Sequence, residues 1–232
     1  MQPLRIDCLL GTAWCPPAFG LHLDGLIGFA AVDEAATLRT DAPDYDTILA
    51  DLPFARHDSG VWCATIFSLV NFAGQERRYL TQKTDVIKMA TLIGSEVVGT
   101  AGGSIIDTQR GPFKNGQAYY TVEHAQGLRA WCVGDPERIL ELLTRINAVG
   151  VKTRIGLGTL LPFDETGELW KITEDPTAHE RWKRRSAPVA LTPDAVPAVG
   201  AWHPPYWRGN QRVWRHPVER IDERQAVALQ AA

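Results

Sequence analysis

Three glycines and two cations lie close together in residues 150–159, which read Gly-Val-Lys-Thr-Arg-Ile-Gly-Leu-Gly-Thr. Glycine lets the backbone approach a ligand closely and adopt a positive φ at little steric cost. Lys152 and Arg154 add charge-assisted donors that suit phosphate oxygens. The stretch therefore predicts an anion-binding loop, although its glycines can equally serve only as a tight connection between a helix and a strand.

The surroundings of this loop do not fit the common nucleotide-binding glycine motifs. A Walker loop needs Gly-Lys-Ser/Thr leading into a helix, and a dinucleotide loop needs Gly-x-Gly-x-x-Gly after a strand. Here no Lys-Ser/Thr follows the last glycine, Leu161 stands where a third glycine would be, and the predicted order is helix, loop, strand. We therefore do not expect mononucleotide or dinucleotide binding.

The charge of the chain limits where such a site can lie, and its hydropathy bears on membrane contact. The net charge of -3 argues against a broadly basic surface, so a nucleic-acid site must be local. The cations are concentrated in the later part of the chain, which is consistent with one basic, partner-facing side or with chance on a solvated surface. No apolar run approaches the roughly 18 residues that span a bilayer, and the N-terminus lacks signal-peptide features. We expect a cytoplasmic protein with no membrane contact.

The four cysteines, Cys8, Cys15, Cys63 and Cys132, are scattered, without a Cys-x-x-Cys pair or a histidine at zinc-finger spacing. Three of them lie in strand-like patterns. The sequence predicts buried, reduced thiols and neither a metal nor another cofactor.

The N-terminal part predicts one strand and one helix. Residues 4–10 alternate between apolar and polar side chains, which is typical of a half-buried strand. From His22 to Leu38 apolar residues recur at helical spacing. His22, beside this helix and a glycine-containing loop, is a candidate general base toward an RNA 2′-hydroxyl, and the alternative is a structural histidine.

The middle of the chain predicts further strands. Residues 39–59 indicate an extended connection with a helical turn near residues 45–49, and residues 61–72 and 77–84 indicate strands. The second run carries Arg77, Arg78 and Lys83, which form either a patch that contacts a nucleic-acid backbone or the solvated face of an edge pair. The glycine-rich residues 94–116 predict a long loop that carries two more cations, Arg110 and Lys114.

The last predicted elements of the domain lead to the anion loop. Residues 117–124 and 128–133 are predicted as a pair of strands around Gln126-Gly127. Asp135-Pro136 predicts a helix start, with a buried face of Ile139, Leu140, Leu143 and Ile146 and an end at Gly150.

This order predicts an α+β protein with a ferredoxin-like (RRM-like) domain at residues 1–170, which carries an inserted β region at about residues 39–116. Residues 171–232 are predicted to form a Pro/Trp/Arg-rich C-terminal extension that packs on the domain. Its aromatic rings and arginines suit stacking with RNA bases, or the rings are simply buried against the domain.

Three short stretches carry a family resemblance: Leu-His-Leu-Asp-Gly-Leu-Ile at 21–27, the loop at 150–158, and Pro-Pro-Tyr-Trp at 204–207. They resemble the Csf group of type IV CRISPR proteins, specifically the subunit similar to the Cas-five-like RAMP family. The resemblance implies a noncatalytic subunit of an antiviral ribonucleoprotein that binds the crRNA 5′ handle and caps the filament of backbone subunits. Other effector-complex proteins are implied partners, and target DNA near the handle end can be a further one.

On this reading Lys152 and Arg154, with amides around Gly156 and Gly158, hold handle phosphates, and Tyr206 with its neighbours is a stacking or packing element. The full set of predicted RNA-binding residues is Gly150, Lys152, Thr153, Arg154, Gly156, Gly158, His22, Arg77, Arg78, Lys83, Arg110, Lys114, Tyr206, Trp207 and Arg208.

Two alternatives remain open. A related crRNA-processing endoribonuclease would cut without a metal, with His22 as base and Lys152 or Arg154 stabilising the developing charge. A scaffold subunit would use the loop and the aromatic segment to bind protein only.

Overall fold

The computed structural model describes residues 1–38, 44–83, 85, 115–206 and 211–223. These residues fall into two compact units. The main unit consists of the described residues of 1–74 and 123–223, and the second unit consists of those within 75–122. The insertion was predicted to begin at about residue 39, whereas residues 44–74 lie in the main unit.

Strand β1, Gln2–Leu10, is the central strand of the main unit. The predicted alternation is confirmed, because Leu4, Ile6 and Cys8 are at most 1% exposed. A period of two places these side chains on one face of the sheet, where they join the main hydrophobic core.

The main sheet has six strands. Besides β1, it contains β2 (Ser68–Val70), β5 (Gly127–Gly134), β6 (Leu160–Leu161), β7 (Trp170–Glu174) and β10 (Arg220–Ile221). The order is β10-β2-β5-β1, and the other edge of β1 pairs with β6 at its end and with β7 along Leu4–Cys8. All pairings are antiparallel except that of β10 with β2.

The described residues of the main unit form four α-helices: α1 (Leu23–Leu38), α2 (Tyr45–Ala50), α3 (Pro136–Leu143) and α4 (Ala178–Arg181). Asp135 caps α3, since its carboxylate accepts hydrogen bonds from the amides of Glu137 and Arg138. The predicted extent of α3 is wrong: the helix ends at Leu143, and Leu140 is 42% exposed. Ile146 is buried, but it belongs to the turn that follows the helix.

Residues 61–72 were predicted to form one strand, but most of them form isolated β-bridges or single hydrogen bonds. The amide of Thr65 donates to the Trp131 carbonyl. The amide of Ile66 donates to the Arg184 carbonyl, and that of Phe67 donates to the Leu21 carbonyl. Because successive amides bond to different segments, a continuous ladder forms only at β2.

The second unit contains most of a two-stranded sheet of β3 (Gly74–Gln82) and β4 (Gly116–His124). The predicted pairing of residues 117–124 with 128–133 is therefore wrong. At the turn between them, the Gln126 amide bonds to the Val70 carbonyl, and the Gln126 carbonyl accepts from Leu10. Through these bonds the residues before β5 join the main sheet, and β4 pairs with β3 instead of with β5.

The C-terminal part of the main unit adds a small sheet of β8 (Val196–Gly200) and β9 (Gln211–Arg215) before β10. A second apolar cluster of Val61, Cys63, Trp182 and Ala187 joins this part to the segment before β2. None of the helices in the described part of the chain is long and apolar enough to cross a bilayer.

Candidate nucleic-acid interface

The loop at 150–159 is built around a single 3₁₀ turn, Thr153–Ile155. Lys152 precedes the turn in the left-handed conformation with φ of 67°, and Gly156 follows it with φ of 84°. Left-handed backbone on both sides of the turn reverses the chain direction within a few residues. The side chains of Lys152 and Arg154 are exposed at this reversal.

Two of the three glycines are required by close packing at the base of the loop. A Cβ added to Gly158 would lie 1.9 Å from the Val149 carbonyl oxygen, and one added to Gly150 would lie 2.6 Å from that of Cys15. A Cβ on Gly156 would meet nothing within 4 Å. The tight-connection interpretation thus accounts for Gly150 and Gly158.

The glycine amides are already hydrogen-bonded inside the protein. The amide of Gly156 donates to the Thr153 carbonyl at 2.9 Å, and that of Gly158 donates to the Ala13 carbonyl at 2.9 Å. These two amides therefore have partners within the protein, and the predicted phosphate contacts of the amides around them stay a prediction. The charge that the loop offers to an anion is therefore carried by the side chains of Lys152 and Arg154.

A groove of about 780 Å³ opens beside the loop. It is lined by residues of α1, α2, the loop and the segment at 204–206. Gly150, Val151 and Thr153 form the wall that it shares with the loop. No charged side chain of the described residues lines this groove, which therefore presents an apolar floor next to a cationic loop.

His22 lies in the groove wall but is only 3% exposed. Its ring stacks on that of Tyr206, with centroids 4.4 Å apart, and its Nε2 accepts a hydrogen bond from the Ser186 amide at 3.4 Å. Burial, together with the positive charge of Arg185, holds the pKa of His22 well below its ordinary value. At neutral pH the imidazole is uncharged and packed.

A buried polar network behind His22 joins α1 to the C-terminal segment. Arg185 Nη2 bonds to Asp24 Oδ2 at 3.0 Å, and both side chains are fully excluded from solvent. The Tyr206 hydroxyl donates to Asp24 Oδ1 at 2.7 Å. The same guanidinium donates to the carbonyls of Trp62, Ala64 and Trp202, and its Nε donates to that of Ser186. We call Asp24, Arg185 and Tyr206 the latch.

The charges of the latch are compensated within it. Burial lowers the pKa of the Arg185 guanidinium, but Asp24 and Tyr206 more than offset this, and the net shift is upward. Burial and the neighbouring Asp24 raise the pKa of the Tyr206 phenol well above its ordinary value. Tyr206 thus stays a neutral donor. Its ring is packed on that of His22, and stacking of Tyr206 on an RNA base stays a prediction.

The three cations predicted on the strand at residues 77–84 lie on β3 or just after it. The Arg77 guanidinium stacks over the Tyr119 ring at 4.7 Å, and Arg78 bonds to Glu76 at 2.6 Å. Lys83 follows the strand and is exposed. Tyr79 and Tyr119, at 59% and 67% exposed, accompany these cations on the surface of the second unit.

Four predicted RNA-binding residues lie outside the described residues: Arg110, Lys114, Trp207 and Arg208.

Sequence reasoning missed the latch and the groove. One signal was available, because α1 contains Gly25 and Gly28, and glycine inside a helix usually has a packing reason. A Cβ on Gly25 would lie 2.8 Å from the Tyr206 ring, and one on Gly28 would lie 2.7 Å from Leu49. These glycines admit the groups that approach α1, but which groups approach cannot be read from the helix alone.

All four cysteines are free and buried, as predicted for Cys8, Cys63 and Cys132. Burial raises the pKa of Cys63 to about 11, so this thiol is unreactive at neutral pH. Among the residues that the structure describes, no three His, Cys, Asp or Glu side chains are grouped so that they could hold a metal ion.

The model of a family described as "CRISPR type IV associated protein Csf3" matches residues 2–217, which is most of the chain. No curated protein matches the sequence.

Proposed function

The chain belongs to the Csf3 family of type IV CRISPR-associated proteins, and we propose that it is the noncatalytic, RNA-binding subunit that holds the crRNA 5′ handle of the effector complex. On this proposal it caps one end of the filament of backbone subunits in the cytoplasm. Other effector proteins, and target DNA near the handle end, are its further partners.

The observation that carries the proposal is a pair of exposed cations, Lys152 and Arg154, on the loop whose residues Gly150, Val151 and Thr153 line a groove without charged side chains among the described residues. Lys152 and Arg154 project from a loop whose backbone is fixed by hydrogen bonds to residues 13 and 15. A backbone that is already ordered removes the cost of ordering the loop when a phosphate binds, so that only the two side chains must be immobilised. The adjoining apolar surface suits the bases of a single strand, which is recognised through unstacked bases as well as phosphates.

The strand order also supports the relationship to RAMP proteins. Without β10, the main sheet runs β2-β5-β1 and then β6 and β7, with α1 between β1 and β2 in sequence and α3 between β5 and β6. We interpret this as the strand-helix-strand, strand-helix-strand arrangement of a ferredoxin-like domain. Fold alone does not give function, so the loop chemistry remains the main support.

The environment of His22 supports a noncatalytic role. A general base must reach the proton that it removes. The His22 ring is packed on Tyr206, and its Nε2 already accepts from the Ser186 amide.

Salt-dependent RNA binding tests the proposal. We would measure affinity of the full chain for single-stranded CRISPR repeat RNA between low and moderate salt, for the wild type and for Lys152→Ala/Arg154→Ala. Each phosphate contact on a single strand contributes a slope of roughly -0.7 in log affinity against log salt. We expect the double variant to lose affinity and to have a slope shallower by about 0.7 to 1.4.

The matched control is Lys171→Ala/Arg212→Ala, which removes the same charge from exposed positions on β7 and β9. If the loop variant and the control behave alike, the loop does not hold RNA. A protein that retains no RNA at moderate salt but copurifies with the backbone subunits would instead be the scaffold subunit.

A metal-independent endoribonuclease is the second candidate, because the His22 side chain and Thr153 line the same groove. Incubation with repeat RNA in EDTA distinguishes the two functions. A product with a cyclic phosphate end that disappears in His22→Ala would establish cleavage, and intact RNA would support the noncatalytic subunit.

A further inference from the structure

We propose that the groove beside the loop receives one or two unstacked bases of the RNA strand whose phosphates contact Lys152 and Arg154, with the Phe29 ring as the stacking surface. This inference rests on the proposed function and specifies how the strand is held beyond its phosphates.

Phe29 is a large aromatic residue that is exposed to solvent beside the groove. It lies on α1 and is 66% exposed, whereas its neighbours Leu26, Ile27 and Ala30 are buried in the core. Its ring lines the groove together with Tyr45, which is 40% exposed. An exposed aromatic ring in a concave surface provides a flat face on which any base can stack.

The polarity of the groove favours a neutral aromatic ligand. The described lining residues include no Asp, Glu, Lys or Arg, and their polar members are His22, Thr153 and two tyrosines. Because His22 is uncharged at neutral pH, the groove carries no formal charge of its own. A base, which is neutral and planar, can enter it without leaving a buried charge unpaired.

One wall of the groove is held in place by contacts within the protein. Tyr206 is held through its hydroxyl by Asp24 and through its ring by His22. Pro204 and Pro205 continue this wall and have few conformations to lose. A preformed cavity favours binding, because less ordering is required when the ligand enters.

Charge complementarity selects RNA over an apolar peptide. Either ligand could cover an apolar surface, but Lys152 and Arg154 stand on the same short loop as the lining residues Val151 and Thr153. A strand whose phosphates are held by these cations has its bases within reach of the groove. A neutral apolar peptide would gain nothing from the two charges.

Abasic substitution tests the inference. A labelled repeat RNA would be prepared as a series in which each nucleotide in turn lacks its base, and each RNA would be bound to the wild type and to Phe29→Ala. Stacking on an aromatic side chain is worth roughly 1–3 kcal/mol per base, which is about a 5- to 150-fold change in affinity. We expect losses in this range at one or two positions with the wild type, and no further loss at those positions with Phe29→Ala.

The control variant is Leu140→Ala, which removes an exposed apolar side chain from α3 that does not line the groove. It should show the same abasic profile as the wild type. Because Phe29 is exposed, its replacement should not change the midpoint of thermal unfolding. A changed abasic profile would therefore report on binding.

The outcomes separate this inference from the function on which it rests. RNA binding that depends on Lys152 and Arg154, with no abasic position coupled to Phe29, would overturn the groove inference and leave the proposed function intact. Absence of loop-dependent binding would overturn both. If Phe29→Ala instead prevents copurification of a backbone subunit without RNA, the groove is a protein-binding surface and the inference is wrong.

Discussion

The Tyr206 hydroxyl donates a hydrogen bond to Asp24 Oδ1 over 2.7 Å, although the two residues are 182 positions apart in the chain. Arg185 completes the contact from a third segment. Through these bonds the C-terminal segment becomes one wall of the groove that begins at α1 and at the cationic loop. The part of the sequence that was predicted as an extension therefore helps to build the candidate site.

Replacing Arg185 tests how strongly the latch stabilises the fold. Arg185→Met leaves the Asp24 carboxylate buried without its cation and removes donors from the carbonyls of Trp62 and Trp202. Removing one partner of a buried ion pair typically costs about 3–5 kcal/mol. We expect a loss of this size in the free energy of unfolding measured in urea. Arg145→Met, which breaks a surface pair with Asp33, should cost less than about 1 kcal/mol.

A double variant tests whether the charges of Asp24 and Arg185 are energetically coupled. In Asp24→Asn/Arg185→Met both charges are absent, so we expect the double variant to lose less stability than the sum of its single variants. Strictly additive losses would show that the two side chains are not energetically coupled, contrary to the contact in the structure.

The loop glycines provide a matched pair. Gly156 and Gly158 both have positive φ, so an alanine at either position should cost roughly 1–2 kcal/mol through backbone strain. Gly158→Ala would in addition place a methyl group 1.9 Å from the Val149 oxygen, whereas Gly156→Ala meets nothing. Urea unfolding of the two variants should show a clearly larger loss for Gly158→Ala. Equal losses would mean that the loop base is less closely packed than described.

Stability should fall at acid pH through His22. Its pKa in the folded protein lies well below the ordinary value of 6.5, so below pH 6.5 the unfolded chain binds a proton that the folded chain does not. The stabilisation is fully present above pH 6.5 and is lost as the pH falls, by up to about 1.4 kcal/mol per pH unit.

The measurement is the free energy of unfolding between pH 7.5 and 5, at roughly unit intervals around the ordinary histidine pKa. His22→Gln should show a smaller decrease over this interval, because glutamine does not titrate and the other five histidines remain in both proteins. Parallel pH profiles for the two proteins would exclude His22 as the titrating group.

The second unit should be dispensable for folding of the main unit. The main sheet contains neither β3 nor β4, and the Ala73 amide bonds to the His124 carbonyl at 2.8 Å, so the two connections lie side by side. Replacing residues 75–121 with a short Gly-Ser turn should preserve cooperative thermal unfolding monitored by circular dichroism. A broad, noncooperative transition would contradict the division into two units.

The same replacement removes the predicted RNA-binding cations Arg77, Arg78, Lys83, Arg110 and Lys114, together with Lys88. If these cations contact RNA as predicted, the shortened protein will bind repeat RNA with a weaker salt dependence than the wild type. An unchanged salt slope would restrict the phosphate contacts to the main unit.

Local features of the structure were predictable from the sequence. The alternation in residues 4–10 gave β1, and Asp135 followed by Pro136 gave the start of α3, because both signals depend on residues adjacent in the chain. The left-handed loop at 150–158 was likewise indicated by its glycines. Each of these depends on burial periodicity or backbone preference within a few residues.

The sequence by itself determined that this is a mixed α and β protein with a cationic glycine loop between a helical segment and a strand. Only the tertiary structure decided that β4 pairs with β3, that the amides of Gly156 and Gly158 are used inside the protein, and that Arg185 reaches Asp24. The physical reason is that strand partners, buried ion pairs and grooves depend on contacts between segments that are far apart in the sequence. Periodicity records which face of an element is buried, but it does not record what covers that face.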